Sequence, residues 1–176
     1  MASDVELMRI QVEALFTQDE NGCLRDINDP EGDVEPAPRF FFGQTNEGSI
    51  CRFLYDLPES VVLRLMEVAA EEPKPMDSRT YPRNHDRFKE ILQNHAPMER
   101  VWAGPAYHFP DFIEPPTNAV RLSPENARLL KGDFAKLVPE LNDGRPYFGV
   151  IEDSQAVSIC QSVRLSSRHM KQALIL

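Results

Sequence analysis

The chain has 176 residues, a formal net charge of −9, an apolar content of 41% and a charged content of 27%. This is the composition of a globular protein, with enough chain for one ordinary domain or two small ones around a hydrophobic core. The acidic balance excludes non-specific nucleic-acid binding, which needs clustered Lys and Arg to displace counterions, and disfavours an anionic membrane surface, so neither nucleic acid nor membrane is expected as a partner.

Residues 4–16 have the pattern of an amphipathic helix. Ser3 and Glu6 stand at capping-box spacing, and Val5, Met8, Val12 and Leu15 form one apolar stripe suited to core packing. Asp19-Glu-Asn-Gly22 reads as a turn and Cys23-Leu-Arg-Asp-Ile27 as a short strand. Residues 28–38 are acidic and proline-bearing, as a loop is. Arg39-Phe-Phe-Phe-Gly-Gln44 and Ser49-Ile-Cys-Arg-Phe-Leu-Tyr55 bracket Thr45-Asn-Glu-Gly48 and predict a hairpin. A three-stranded antiparallel meander is the economical arrangement of these segments.

Asp56-Leu-Pro-Glu59 predicts a helix start with Asp56 as N-cap. The helix then continues through Val61, Val62, Leu65, Met66 and Ala69 to a stop at Glu71-Glu-Pro73. A second helix is expected from about Asn84 to Asn94, with Phe88, Ile91 and Leu92 on its apolar side. Residues 99–110 are aromatic and irregular and read as a turn and then a strand. Residues 111–118 have linker composition, which sets the expected domains at 1–118 and 119–176.

Past that point Ala119-Val-Arg-Leu122 predicts a short strand and Ser123-Pro-Glu125 a helix start. Ala127, Leu130, Phe134, Leu137 and Val138 predict one bent helix or two short ones, broken at Gly132. Tyr147 to Ile151 is an apolar run expected to be covered on both faces. After the polar turn Glu152-Asp-Ser-Gln155, Val157, Ile159, Val163 and Leu165 are placed on one face of the next strand, and Ala156, Ser158, Cys160 and Ser162 on the other. Gln161 breaks the apolar row.

This order, with these residues, resembles the beginning of the GNAT superfamily of acyl-CoA-dependent N-acetyltransferases, most of all a bacterial group with an extra N-terminal α+β region. The stretches that carry the likeness are Ala37-Pro-Arg-Phe-Phe-Phe-Gly43, Glu99-Arg-Val-Trp-Ala-Gly-Pro-Ala-Tyr-His-Phe-Pro110, Ser123-Pro-Glu-Asn-Ala127 and Ile151-Glu-Asp-Ser-Gln-Ala-Val-Ser-Ile-Cys160. Their order covers nearly all residues from 5 to 166. The resemblance implies an α+β fold: an N-terminal antiparallel sheet with helices, then the first half of a GNAT-like mixed α/β fold. In that family a first strand, two short helices and an antiparallel strand pair precede a central strand and a phosphate-binding helix.

Family members hold the pyrophosphate of acetyl-CoA with a Gln/Arg-x-x-Gly-x-Gly/Ala loop, whose backbone N–H groups and helix N-terminus receive the negative charge. These 176 residues contain no such motif and no glycine after Gly149. The expectation is a chain truncated before the acetyl-CoA motif, with no cofactor of its own, no cofactor-binding residues to assign and no acetyltransferase activity alone. The alternative is a non-catalytic binding or interaction module, self-associating through an exposed sheet edge. The tail decides between them: if Arg168–Leu176 pairs with Val157–Leu165, a substitute edge has formed and a stable module results, whereas a loose tail leaves the edge of the Tyr147–Leu165 hairpin unpaired, which is the ground for expecting self-association.

Candidate chemistry is sparse. Trp102, Tyr107 and His108 are the substrate-binding candidates, since an aromatic loop beside a hairpin can line a pocket; packing between the two halves is the structural reading of the same rings. His85 and His95 are ten residues apart, about 15 Å along one helix, too far to share an ion. His108 and His169 have no cysteine at ligand spacing, and no metal site is expected. Cys23, Cys51 and Cys160 are odd in number and widely spaced, which fits thiols in a reducing cytoplasm. Cys160 falls within a predicted strand, the ordinary place for a buried structural thiol. Glu71, Glu72, Glu152 and Asp153 read as solvated. No residue is assigned as catalytic.

Overall fold

Ser3 starts the first helix as its pattern predicts: its Oγ accepts from the backbone N–H of Glu6 at 3.2 Å. The computed structural model describes residues 2–29, 34–77, 80–107, 118–142, 145–165 and 170–175, with side chains through Gln161. The fold is α+β, and the chain divides into two compact units, Met1–His108 and Phe109–Leu176. The division falls earlier than the boundary expected at 118/119. Most of the linker-like stretch (111–117), together with His108 and His169, lies outside the described residues.

In the first unit, α1 (Asp4–Leu15) buries Val12 and Ala14. At Phe16 the backbone turns extended, and the chain runs straight into β1 (Phe16–Gln18), which pairs antiparallel with β2 (Leu24–Ile27). The turn between them is closed by Asp19, whose Oδ1 accepts from the N–H groups of Asn21 and Cys23, and by Gly22 at φ +76°. β3 (Phe40–Gln44) and β4 (Ser49–Phe53) form a second antiparallel hairpin. The expected meander is therefore corrected to two separate two-stranded sheets, because β1 takes the ladder of β2 that β3 was expected to fill. A parallel bridge between Leu24 of β2 and Leu54, the residue after β4, links the two.

The three consecutive phenylalanines of β3 serve two cores through the period-2 alternation of a strand. Phe41 packs with Val12, Leu24 and Ala37 beneath α1. Phe40 and Phe42 point the other way, to Leu65, Val68, Phe88, Ile91 and Leu92 of α2 (Glu59–Ala70) and α3 (His85–His95). Asp56 is not the N-cap of α2. The backbone N–H of Leu57 bonds to the carbonyl of Leu54 and holds a turn there, so Pro58 becomes the cap and its carbonyl receives Val61 and Val62. Met66 of this helix is half exposed.

Two residues from outside α3 hold its ends. The Glu72 carboxylate accepts from the backbone N–H groups of Arg83 and Asn84, at 2.5 and 2.8 Å, where the helix begins and its free N–H groups favour a negative charge. The Arg39 guanidinium donates to the carbonyls of Leu92, Ala96 and Pro97 at 2.9–3.1 Å where it ends. Glu71 pairs with Arg87 of α3. The two glutamates expected to be merely solvated thus join α2 to α3.

The second unit is built on one four-stranded antiparallel sheet in the order β5-β6-β7-β8, comprising β5 (Ala119–Leu122), β6 (Tyr147–Glu152), β7 (Gln155–Leu165) and β8 (Met170–Ile175). The expected helices between β5 and β6 are three 3₁₀ turns, Pro124–Leu129, Gly132–Leu137 and Pro139–Asn142. Extended backbone at Leu130 and Lys131, positive φ at Gly132 and the proline at 139 interrupt every run before an α-helix can propagate. Leu130, Leu137 and Leu141 all reach the same core, against Leu122, Tyr147, Ala156 and Ile159.

The β6–β7 hairpin closes through Asp153 and Ser154, at φ 46° and 60°, the left-handed pair of a type I′ turn. Two expectations for its strands are corrected. β6 is covered on one face only: Tyr147 and Gly149 are buried while Phe148 is 40% exposed. In β7 the pairing passes from Val150–Ser158 to Ile151–Ala156, which leaves Val157 as the extra residue of a bulge. The bulge reverses the alternation, so Ala156, Ile159 and Gln161 are buried together and Val157 faces out.

Candidate functional site

Among the described residues, the buried polar side chains are Arg145 and Gln161, both in the second unit. They gather at one end of its core around Tyr147, a fully buried tyrosine. Strand pairing sets Gln161 of β7 directly opposite Tyr147 of β6, so both project from the same face of the sheet. Arg145 precedes Tyr147 by two positions. The Tyr147 hydroxyl donates to Glu140 Oε2 at 2.8 Å, tying the sheet to the last 3₁₀ turn. The bond is part-buried, with the Tyr147 ring fully inside, so it counts for more than a fully solvated one. The arrangement holds a phenol hydroxyl against a carboxylate oxygen. Gln161 was legible in the sequence as the break in an apolar row; Arg145 and Glu140 carried no such signal.

The substrate-binding candidates lie elsewhere. Trp102 and Tyr107, each 81% exposed, belong to a stretch without regular structure in the first unit, where the strand expected over 99–110 does not form among the described residues. Arg100 lies 5.3 Å from the Trp102 ring centre, a cation–π contact at the surface. Trp102→Ala and Tyr107→Ala are expected to change stability by less than about 0.5 kcal/mol, as exposed positions do. Urea titration checks this, and a larger loss would mean that the rings are packed.

His85 and His95 stand at opposite ends of α3; His85 lies against Tyr81 and His95 beside Arg39. No group of three His, Cys, Asp or Glu side chains able to hold a metal occurs among the described residues. No helix among them is long and apolar enough to cross a membrane.

The three cysteines are free thiols. Burial pushes Cys51 up to about 11 from an ordinary 9.0, the neighbouring Arg52 offsetting this only in part; burial also raises Cys160. A raised thiol pKa favours the neutral form in the folded state. Its contribution is complete below about 9 and is lost as pH rises through about 11. Wild type is therefore expected to lose stability faster than Cys51→Ala between these values, in denaturant midpoints taken at successive pH. Parallel curves would contradict the burial of this thiol.

No protein-family model, curated protein or solved structure matches the chain.

Proposed function

We propose that the second unit is the opening part of a GNAT-type acetyltransferase fold and that this 176-residue chain binds no acetyl-CoA by itself. The observation that carries the reading is the order of that unit: a strand, short 3₁₀ turns on one face, an antiparallel strand pair and a fourth strand. It is the order that the resemblance implies. The pyrophosphate of the cofactor needs a glycine-rich turn before a helix, where bare backbone N–H groups can approach it closely. Past Gly149 these residues offer no glycine for such a turn. Isothermal titration with acetyl-CoA tests the proposal. No heat up to millimolar ligand is expected, and micromolar binding would mean that the chain builds a cofactor site from other residues.

A second reading, a non-catalytic interaction module, is favoured by β8. Its pairing along β7 gives the sheet a further strand whose outer edge has no partner strand among the described residues. Open edges of this kind pair with other chains, so self-association through β8 is the expected behaviour of the module. Ala173→Pro removes a backbone donor from that strand. It is expected to weaken self-association in sedimentation equilibrium, and an unchanged association state would remove the edge from the account. The acidic charge and the three free thiols support a cytoplasmic protein whose partners are neither nucleic acid nor membrane.

A further inference from the structure

The helix α2 carries two apolar faces, and only one is used by the core. Leu65 and Val68 are buried against α3 and the β3–β4 hairpin. On the opposite side Leu63 and Met66 are 53% and 51% exposed. With Ala70, also exposed, they follow the i, i+3, i+7 spacing of a continuous helical stripe. Arg64 and Glu67 lie together along one flank of this stripe, and neither side chain has a partner on its own chain among the described residues. Glu71, at the end of the helix, is already paired with Arg87.

The geometry points to a second copy of this chain as the occupant of this face, with α2 packed antiparallel against its own two-fold mate. The sequence of the stripe is self-complementary under that symmetry. With the axis on the exposed face at the height of Leu65, Leu63 comes level with Met66 of the other copy and Arg64 with Glu67, each contact occurring twice. Charges on the same flank of two antiparallel helices stay on the same side of the pair, so both ion pairs form at once. A single pair of three-turn helices buries less than a standard stable interface does, so the dimer is weak and visible only at high concentration. This surface belongs to the first unit and does not depend on what the second unit binds.

Sedimentation equilibrium of the full chain up to several hundred micromolar tests it, with R64E, E67R, an equal mixture of the two, and the double variant R64E/E67R. All positions are exposed, and circular dichroism establishes that each variant is folded. Each single reversal sets like charges together twice and is expected to weaken dimerisation by about tenfold or more. The equal mixture restores association as a heterodimer, because each variant then presents the complement of the other, and the double variant restores it as a homodimer. The β8 edge is common to all samples, so association through it is the same in each and does not produce this pattern. A wild type that stays monomeric, single reversals that associate as wild type does, or a mixture no stronger than its components overturns the inference. Any of these results leaves the face to a different protein.

Discussion

Replacing Phe88 with alanine is expected to cost about 3–5 kcal/mol, the range for deleting a buried aromatic ring. Phe88 comes from α3 and meets Phe40 and Phe42 of β3, each at a ring-centre distance of 5.2 Å, while Phe40 also stacks on Phe53 of β4 at 5.4 Å. Removing the ring takes away both aromatic contacts and leaves a cavity between helix and hairpin that Leu65, Ile91 and Leu92 cannot fill without moving. Phe88→Leu retains most of the volume and is expected to cost less than about half as much. Urea midpoints read by far-ultraviolet circular dichroism separate the two variants. A loss below about 1 kcal/mol for Phe88→Ala would mean that α3 is not seated on the hairpin as described.

The second large effect is expected at Tyr147. Tyr147→Ala removes a fully buried ring from the centre of the second unit's core and should cost about 3–5 kcal/mol. Tyr147→Phe keeps the ring and deletes only the hydroxyl that bonds Glu140, which should cost about 1–3 kcal/mol. Glu140→Gln leaves an acceptor for the hydroxyl and should fall below both. If the phenylalanine variant were as stable as wild type, the Tyr147–Glu140 bond would be incidental to the fold. A ranking of alanine, then phenylalanine, then Glu140→Gln supports a hydrogen bond that holds the last 3₁₀ turn to the sheet.

The features legible in the sequence are those that a short local pattern determines. The Asp153–Ser154 turn was marked by polar residues between two apolar runs, and α1 and α3 by the 3.6-residue spacing of their buried faces. The misread features depend on partners distant in sequence. β1 is too short to announce itself, and Phe16 looks like the end of a helix until β2 is available to pair with it. The faces of β7 were misassigned because strict alternation does not anticipate the bulge at Val157, which reverses the inward side for every residue up to Ala156. The apolar residues from Ala127 to Val138 fit a helical stripe, but backbone breaks at Leu130 and Gly132 divide them among 3₁₀ turns.

The same reasoning applies to function. Gln161 was noticeable because it interrupted an apolar row, yet its position opposite Tyr147, and the bond of Tyr147 to Glu140, arise only when β7 pairs with β6 and the last 3₁₀ turn folds onto the sheet. Trp102 and Tyr107 drew attention by residue type, and both lie exposed in irregular chain. Glu72 looked idle because its task is to receive backbone N–H groups more than ten positions further along the chain. A residue's chemistry is visible in sequence, but the group it acts upon is not.

Both functional readings rest on the four-stranded sheet, and above all on the pairing of β8 with β7. Nuclear Overhauser contacts between α-protons across these two strands test it most directly. The register runs from Ile159 opposite Ile175 to Leu165 opposite Met170, with an irregularity between Ser162 and Arg164. The account predicts strong cross-strand contacts at alternate pairs along this register, accompanied by slow amide exchange in β7. Contacts confined to β5, β6 and β7, with none from residues 170–175, would contradict it and remove the fourth strand from both readings.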